Sequence, residues 1–462
     1  MAKYSSAELI APHISITSTE GTTVTDASDG HTRENTAQSL FKGNMSGMSG
    51  MELKESERHG TVLSGFTVIT KSMIGSGIFG MARACSKFGI ISGVIFLFLA
   101  ACITWLSLRV LSTLALDFRN ENPSFYSVSE KVLPKARWVL DLALVINCLG
   151  AAIVYVQTAG NLMAYAIISI FGMDATSSLQ QSHIAMIVQA IMVTALAPLC
   201  MMKEISATKI PNMIGLTCLL YIVIVTFFYT PITSASTDLL YPGGALVALG
   251  SFPTFIFAFA CQQNMFTVAN ELKDANMRRL DVVGFSSTFT GFVVYMPMMI
   301  IPFLSFGLAV ESNYLYNMVI AEGMDLPIII AFIAASVSVS ISYVLQVQPV
   351  RRSLTSLVYG SVPLTGKKES TVRVGVVTAI LLVSFALAVG LGQDLSLPIN
   401  IAGLLGGNTM CFVMPFLLYL TKYGFSWRDK FSVTIMTLLV FCCALYPICL
   451  TGIIYDAVSS RS

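Results

Sequence analysis

The chain has 462 residues, of which 55% are hydrophobic and 11% are charged, and its mean hydropathy is +0.75. Soluble domains carry about a quarter charged residues, so this composition excludes an ordinary soluble protein and indicates a chain that crosses the lipid bilayer many times. The formal net charge of +2 is too small to suggest a nucleic-acid partner, and we expect none.

The N-terminal part, residues 1–58, is rich in Ser, Thr, Gly and charged residues and contains only scattered apolar ones. Such a segment buries too little apolar surface to fold alone, so we predict a disordered cytosolic tail. A transmembrane domain is predicted over residues 59–456, and residues 457–462 are expected to form a short extracytosolic tail.

Eleven apolar stretches in this domain are long enough to cross the hydrocarbon core, which takes about 20 residues per helix. We therefore predict an all-α integral membrane protein with eleven transmembrane helices, called spans 1 to 11 in chain order. They cover residues 61–85, 89–115, 138–172, 182–202, 208–230, 244–270, 282–310, 326–349, 371–392, 396–421 and 430–455.

Loop charges support this count, because cytosolic loops collect Lys and Arg. With the N-terminus inside, the cytosolic loops hold most of these residues, for example Arg278 and Arg279, whereas the outer loops carry acids such as Glu311. The outer exceptions, Arg83 and Lys87, both precede span 2. Eleven spans therefore predict a cytosolic N-terminus and an extracytosolic C-terminus.

Span 1 contains Lys71 and, four residues later, the run Gly75, Ser76, Gly77. Backbone that leaves the helix at membrane depth is tolerated where it lines a cavity, as in transporters with broken helices. An unwound segment here would expose N–H groups at the start of the outer half-helix, which suit a carboxylate. The alternative is that the glycines only allow close helix packing.

Span 6 is the expected counterpart of span 1 if spans 1–5 and 6–10 form inverted repeats. It contains Pro253, which removes an intrahelical hydrogen bond, and three amides that begin at Gln262. We predict that the carbonyls near Phe257 and Ala258 accept hydrogen bonds from a substrate ammonium group. Phe257 and Phe259 are expected to form apolar walls of the site.

Three runs resemble the amino acid/auxin permease family: residues 71–80, residues 257–264 with 270–273 after them, and residues 348–351, which are expected to close span 8. The polar N-terminal tail is similar to that of the kinetoplastid branch. The resemblance covers residues 60–455 and implies a transporter of the bacterial leucine-transporter type, with a five-plus-five inverted repeat and an amino acid bound between broken spans 1 and 6. The expected substrate-binding residues are Ile74, Gly75, Ser76, Gly77, Tyr155, Phe257, Ala258, Phe259 and Cys261.

Lys71 departs from the family pattern. Sodium-coupled relatives typically have asparagine at the matching position, which helps to hold sodium together with a hydroxyl residue of span 8. We expect the Lys71 ammonium to take the place of the coupling cation and to bond with span 8 hydroxyls, of which Ser340 and Ser342 lie nearest the matching region. A fixed charge would leave a facilitator or exchanger, whereas a lysine that titrates would couple transport to protons. Snorkelling is the structural alternative, but Lys71 lies about 15 Å deep.

These observations predict a secondary active or facilitative transporter that moves amino acids by alternating access without sodium. The alternative is a membrane amino acid sensor with little or no flux. We expect no enzyme activity, no cofactor and no metal site, since the spans carry no acid–base cluster and the ten cysteines form no metal-ligand spacing. The plasma membrane is the first expectation for its location, and a vacuolar or lysosomal membrane is the alternative.

Overall fold

Long apolar runs become helices in a bilayer because only a helix or a closed barrel satisfies every backbone polar group without water. The computed structural model describes residues 58–121, 123–172, 178–202, 209–230, 240, 242, 244–322, 325–359 and 366–459. The regular elements of these residues are all helical. Residues 1–57 of the predicted cytosolic tail and residues 460–462 of the predicted outer tail lie outside the described residues.

The first half of the chain contains α1 (Val62–Met73), α2 (Gly77–Phe88), α3 (Ile90–Asp117), α4 (Phe125–Val132), α5 (Arg137–Ile170), α6 (Ser178–Met201) and α7 (Lys209–Tyr229). The second half contains α8 (Ala245–Ala258), α9 (Met265–Glu271), α10 (Met277–Phe306), α11 (Leu315–Glu322), α12 (Leu326–Tyr359), α13 (Gly366–Leu391), α14 (Ser396–Ile401), α15 (Met414–Tyr423) and α16 (Lys430–Ser459).

The helices confirm a multi-pass membrane protein. Nine helical segments in the described part of the chain are long and apolar enough to span a bilayer, and the bent pair α1–α2 makes ten. The predicted span 5 is helical as α7, but its apolar part, Met213–Tyr229, is shorter than the others. The total of eleven spans therefore remains a prediction.

Span 1 is broken where the glycines predicted it. Helix α1 ends at Met73, α2 begins at Gly77, and their axes differ in direction by 56°. The start of α1 is fixed by a capping box in which the Thr61 side chain accepts from the Ser64 N–H and the Ser64 side chain accepts from the Thr61 N–H. Helix α1 is therefore regular from its capped start to Met73, and the irregular backbone is confined to the residues between Met73 and Gly77.

Span 6 is also broken. Helix α8 ends at Ala258, and a short 3₁₀ turn over Gln262–Asn264 then leads into α9. Pro253 lies inside α8, and the chain leaves the helix only after it. The two broken spans are the first helices of the two predicted five-span repeats.

Two features of the later spans differ from the expectation. Residues 348–351 were expected to close span 8, but α12 continues through them to Tyr359. Within this continuous helix, Arg351 Nη1 donates to the Met202 carbonyl at 3.0 Å. Span 10 is not a plain α-helix, because a π-helical segment, Ala402–Val413, lies between α14 and α15. Wide helical turns of this kind are rare and often occur at functional sites.

The packing places both breaks at the centre of the bundle. Helix α10 packs along α1, α2 and α3, while α8 packs on α2, α16 and the π-helical segment. Helix α12 lies against α5 and α7. The residues of the two breaks are buried, with Met73, Ala258 and Phe259 at most 2% exposed.

Candidate functional site

The two helix breaks are in direct contact. A Cβ atom added to Gly77 would lie 2.9 Å from both Cα and Cβ of Ala258, the last residue of α8. A Cβ atom on Gly75 would lie 2.7 Å from the Tyr155 hydroxyl of α5. A larger residue at either glycine would clash with these atoms. Spans 1, 3 and 6 therefore meet closely because residues 75 and 77 of span 1 are glycines.

Free backbone donors lie at the start of α2. The Gly75 N–H donates to the Met73 carbonyl at 2.9 Å and the Phe79 N–H to the Ser76 carbonyl at 3.1 Å. Within the described part of the chain, the N–H groups of Ser76 and Gly77 have no backbone acceptor. The Ser76 hydroxyl is also buried, and the hydroxyl and N–H of Ser76 both lie close to the Tyr155 hydroxyl. This is the donor set that a carboxylate requires.

Tyr155 belongs to the same cluster. Its side chain is 4% exposed, and its hydroxyl lies within hydrogen-bonding reach of Ser76 and of Gln346 of α12. Ile74, at the end of α1, is 3% exposed and its N–H donates to the Thr70 carbonyl at 2.8 Å. The structure therefore brings together the predicted site residues of spans 1 and 3.

The carbonyls predicted to receive the ammonium group each already accept one hydrogen bond. The Phe257 carbonyl accepts from the Ala260 N–H at 3.2 Å, and the Ala258 carbonyl accepts from the Tyr295 hydroxyl at 2.9 Å. Because α8 continues to Ala258, both carbonyls belong to its last turn and not to unwound backbone, and their role toward an ammonium group stays a prediction. Among the described residues, the carbonyls of Phe259 and Ala260 receive no backbone hydrogen bond.

The residues that follow Ala258 pack against neighbouring helices and against the first broken span. The Phe259 ring packs edge-on against Tyr295 of α10, with centroids 5.3 Å apart, so it contacts the scaffold behind the break. Cys261 is fully buried, and its N–H donates to Gln262 Oε1 at 2.8 Å. Asn264 Nδ2 donates to the Ser72 hydroxyl of α1 at 2.6 Å, which ties the two broken spans together below the breaks.

Lys71 points from α1 to α12. Its side chain is 5% exposed, and its Nζ lies 3.3 Å from Ser342 Oγ and 3.5 Å from Ser338 Oγ. Gly215 of α7 makes room for it, since a Cβ atom there would lie 2.9 Å from Lys71 Cε. The expected contact with a span 8 hydroxyl is thus present at Ser342.

Ser340 does not take part, which corrects the second half of that prediction. Its hydroxyl donates to the Ser336 carbonyl at 2.7 Å and faces Met192 of α6. Residues four apart share one face of a helix, whereas residues two apart do not. Ser338 therefore joins Ser342 on the face toward Lys71, and Ser340 lies on another face.

Both hydroxyls near Lys71 donate their protons elsewhere. Ser338 Oγ donates to the Gly215 carbonyl at 3.0 Å, and Ser342 Oγ donates to the Ser338 carbonyl at 3.1 Å. Each hydroxyl therefore presents only lone pairs to Lys71. The lysine must be the donor in both contacts.

Sequence reasoning missed Tyr295. Its hydroxyl on α10 lies 2.6 Å from the Met73 carbonyl and 2.9 Å from the Ala258 carbonyl, so it contacts the last residue of both interrupted helices. Nothing in the apolar run around it distinguishes this tyrosine from a packing residue. Its importance depends on which carbonyls the fold brings to it.

The fold is similar to that of a solved transporter structure. The crystal structure of MhsT in complex with L-phenylalanine matches 86% of this chain and 99% of its own chain, with a TM-score of 0.59 and 13% sequence identity. The protein therefore has the all-α, leucine-transporter-like fold that the sequence predicted, with its broken first and sixth spans.

Curated relatives point in the same direction. Vacuolar amino acid transporter 5 of Schizosaccharomyces pombe is 26% identical over 354 residues, which cover 76% of this chain and 82% of the relative. Vacuolar amino acid transporter 6 of Saccharomyces cerevisiae is 24% identical over 305 residues, which cover 64% and 66%. Vacuolar amino acid transporter 5 of the same yeast is 22% identical over 404 residues, which cover 77% and 87%.

A family profile matches nearly the whole described chain. The profile for "transmembrane amino acid transporter protein" matches residues 58–459, a range that includes both helix breaks, Lys71 and the α12 serines. The chain therefore belongs to the transmembrane amino acid transporter family, the amino acid/auxin permease family that its motifs resemble.

Proposed function

We propose that this protein is a sodium-independent secondary transporter that moves neutral amino acids by alternating access, with Lys71 in place of a coupling cation and protons as the driving ion. The observation that carries the proposal is the placement of Lys71 Nζ. Lys71 lies on α1, two residues before its end at the break, and its Nζ is within 3.5 Å of two α12 hydroxyls. Sodium-coupled relatives are expected to hold their ion at this place.

Charge repulsion argues against sodium at this place. Two unit charges about 4 Å apart repel by about 4 kcal/mol at an effective dielectric constant of about 20. A sodium ion that approached Ser338 and Ser342 would meet the Lys71 ammonium at comparable distances. The lysine thus supplies the positive charge and excludes a second one.

Hydrogen-bond counting favours protons over a permanently fixed charge. A protonated lysine has three N–H donors, whereas the neutral amine has two. Ser338 and Ser342 offer two acceptors, so the third proton of the ammonium has no hydroxyl to bind. Loss of that proton in one conformation would couple substrate movement to proton movement.

The two breaks support an amino acid as substrate because they offer opposite ends to a zwitterion. The N–H groups of Ser76 and Gly77 suit its carboxylate, and the carbonyls of Phe259 and Ala260 suit its ammonium group. The described side chains around the two breaks contribute hydroxyl, aromatic and aliphatic groups but no carboxylate, which favours neutral over cationic amino acids. The protein acts as a carrier and not as an enzyme.

The names of the relatives bear on the membrane of residence. All three relatives described above are named vacuolar transporters. We therefore place this protein in a vacuolar or lysosomal membrane, ahead of the plasma membrane that the sequence alone suggested.

The test is uptake of labelled amino acids into proteoliposomes, with sodium and pH gradients imposed separately. The wild-type protein should accumulate neutral amino acids under a pH gradient and show no response to sodium. Lys71→Asn should lose accumulation driven by the pH gradient and gain a response to sodium. Lys87→Gln is the matched control, because Lys87 lies near the end of α2, on the other side of the break from Lys71, and binds Asp456 at 2.8 Å.

Other outcomes separate the alternatives. Strong sodium dependence of the wild-type protein would overturn the role given to Lys71. Flux that responds to neither gradient would identify a facilitator or exchanger and would overturn proton coupling. Substrate binding without flux would favour the sensor.

A further inference from the structure

Two helix C-termini converge on one hydroxyl group. Met73 is the last residue of α1 and Ala258 is the last residue of α8. Their carbonyl oxygens lie 2.6 Å and 2.9 Å from the Tyr295 hydroxyl oxygen. The carbonyls come from the two interrupted spans, while the hydroxyl comes from a third, uninterrupted helix.

The two carbonyls make the electrostatic potential at this point negative. The C-terminal end of a helix carries a partial negative charge, so it attracts cations. In transporters with interrupted helices, such carbonyls and half-helix ends coordinate the transported cation or proton. Here two such ends share a phenol, which has a single proton to donate. Two acceptors therefore compete for one neutral donor.

The surrounding packing holds the phenol in this position. Tyr295 is fully buried, and its ring packs on Phe259 directly after the second break. One turn earlier on α10, a Cβ atom added to Gly291 would lie 2.5 Å from Met73 Sδ and 3.3 Å from Phe259 Cε1. The glycine lets α10 approach both breaks, and the tyrosine then reaches both carbonyls.

We propose that Tyr295 is a positioning residue whose hydroxyl fills a second cation position, between the two breaks. It acts on the substrate through the backbone, because it fixes the ends of α1 and α8 from which the binding groups of Ser76 and Phe259 extend. Together with Lys71, it means that both cation positions are filled by the protein's own donors. This inference rests on the proposed transport function and explains why that function needs no sodium.

The decisive variant is Tyr295→Phe, which keeps the ring and removes only the hydroxyl. The Ala258 carbonyl then loses the Tyr295 donor, and the Met73 carbonyl keeps only the Gly75 N–H at 2.9 Å. Removal of the hydroxyl leaves room beside both carbonyls for a small monovalent cation. In choline chloride, the KM for the amino acid should rise about tenfold, as expected for a buried acceptor left unpaired. Sodium or lithium chloride should lower it again. The wild-type protein should show no such response.

The matched control is Tyr343→Phe. Tyr343 is also fully buried, and its hydroxyl bonds to Ser384 of α13 at 2.8 Å, away from both breaks. Its loss should affect stability without any response of KM to sodium. A second variant, Gly291→Ala, keeps the Tyr295 hydroxyl but displaces the side chains of Met73 and Phe259 beside the two breaks, so any rise in KM should come without a response to sodium.

Thermal unfolding of the detergent-solubilised protein gives a readout that does not depend on flux. Sodium chloride, compared with choline chloride at equal ionic strength, should raise the Tm of Tyr295→Phe only. An unchanged KM for this variant, or no sodium effect on either KM or Tm, would overturn the assignment. Failure of the proposed function would instead appear in the wild-type protein, as absent or sodium-stimulated uptake.

Discussion

At the scale of single residues, the geometry of the span 1 glycines is compatible with both roles that the sequence left open. Gly77 lets α2 touch the end of α8, which is a packing role, and its N–H remains free at the start of a half-helix. The close contact requires backbone without a side chain, whereas the free donor follows from the position of Gly77 at the start of a helix. The two interpretations were therefore never exclusive.

Replacement of Gly77 by alanine should separate the breaks. The new Cβ would lie 2.9 Å from the backbone of Ala258, and overpacking of this kind costs about 1–3 kcal/mol. We expect the KM for the amino acid to rise roughly tenfold or more, measured as initial uptake rates into proteoliposomes. Gly390→Ala is the control, because a Cβ there meets no atom within 4 Å. Equal KM values for both variants would contradict a close contact at the site.

Sequence reasoning found residues with a local signature and missed those that depend on distant partners. Lys71 stood out as a charge within an apolar span, and the need for a span 8 hydroxyl followed from the resemblance. The choice between Ser338 and Ser340 required the rotation of α12 about its axis, which the sequence does not contain. Tyr295 has no signature at all, because its function depends on two carbonyls more than thirty residues away in the chain.

At the scale of elements, the breaks differ in how well composition predicted them. The break in span 1 falls on its glycine run, because glycine is the residue that most readily leaves a helix. The break in span 6 comes after Ala258, beyond Pro253, and its clearest marker is the run of amides at Gln262–Asn264. The π-helical segment of span 10 was not predicted, since its wider turns have no distinct apolar period.

The start of span 1 and the end of span 6 are joined by a short backbone bridge. The Gly60 N–H donates to the Glu271 carbonyl at 2.9 Å, and the Lys273 N–H donates to the Gly60 carbonyl at 3.0 Å. A Cβ atom on Gly60 would lie 2.5 Å from the Glu271 carbonyl oxygen. The bridge thus links the start of α1 to the end of α9 and requires glycine.

Gly60→Ala should release the start of α1. A net contribution of about 0.5–1.5 kcal/mol for each of the two hydrogen bonds predicts roughly tenfold more frequent local opening. Hydrogen–deuterium exchange should become faster in α1 and α9 and stay unchanged in α13. Gly375→Ala, where a new Cβ meets no atom within 4 Å, should leave all three helices as in the wild-type protein. Unchanged exchange in α1 for Gly60→Ala would show that the bridge does not hold the helix.

At the scale of the whole molecule, hydropathy predicted the fold more securely than it predicted how many spans the chain has. The fold matches MhsT at 13% identity because long apolar runs and two interruptions define it, and these survive when individual residues change. The count depends on α7, whose apolar part of Met213–Tyr229 would extend about 26 Å as a helix. That is slightly shorter than a typical hydrocarbon core of about 30 Å. Local thinning of the bilayer or snorkelling of flanking residues can accommodate such a difference.

The side of the membrane on which each terminus lies decides whether α7 crosses. Eleven spans place the two termini on opposite sides, whereas ten would place them on the same side. Loop charges favour eleven, because Lys273, Arg278 and Arg279 after span 6 lie on the cytosolic side, as the positive-inside rule requires, only if α7 crosses. In sealed vacuoles, whose cytosolic face is outward, we therefore expect an epitope before Met1 to be accessible to antibody without permeabilisation, and an epitope after Ser462 to be accessible only after it. Access to both epitopes from the same side would remove α7 from the spans and would break the five-plus-five arrangement at its fifth helix.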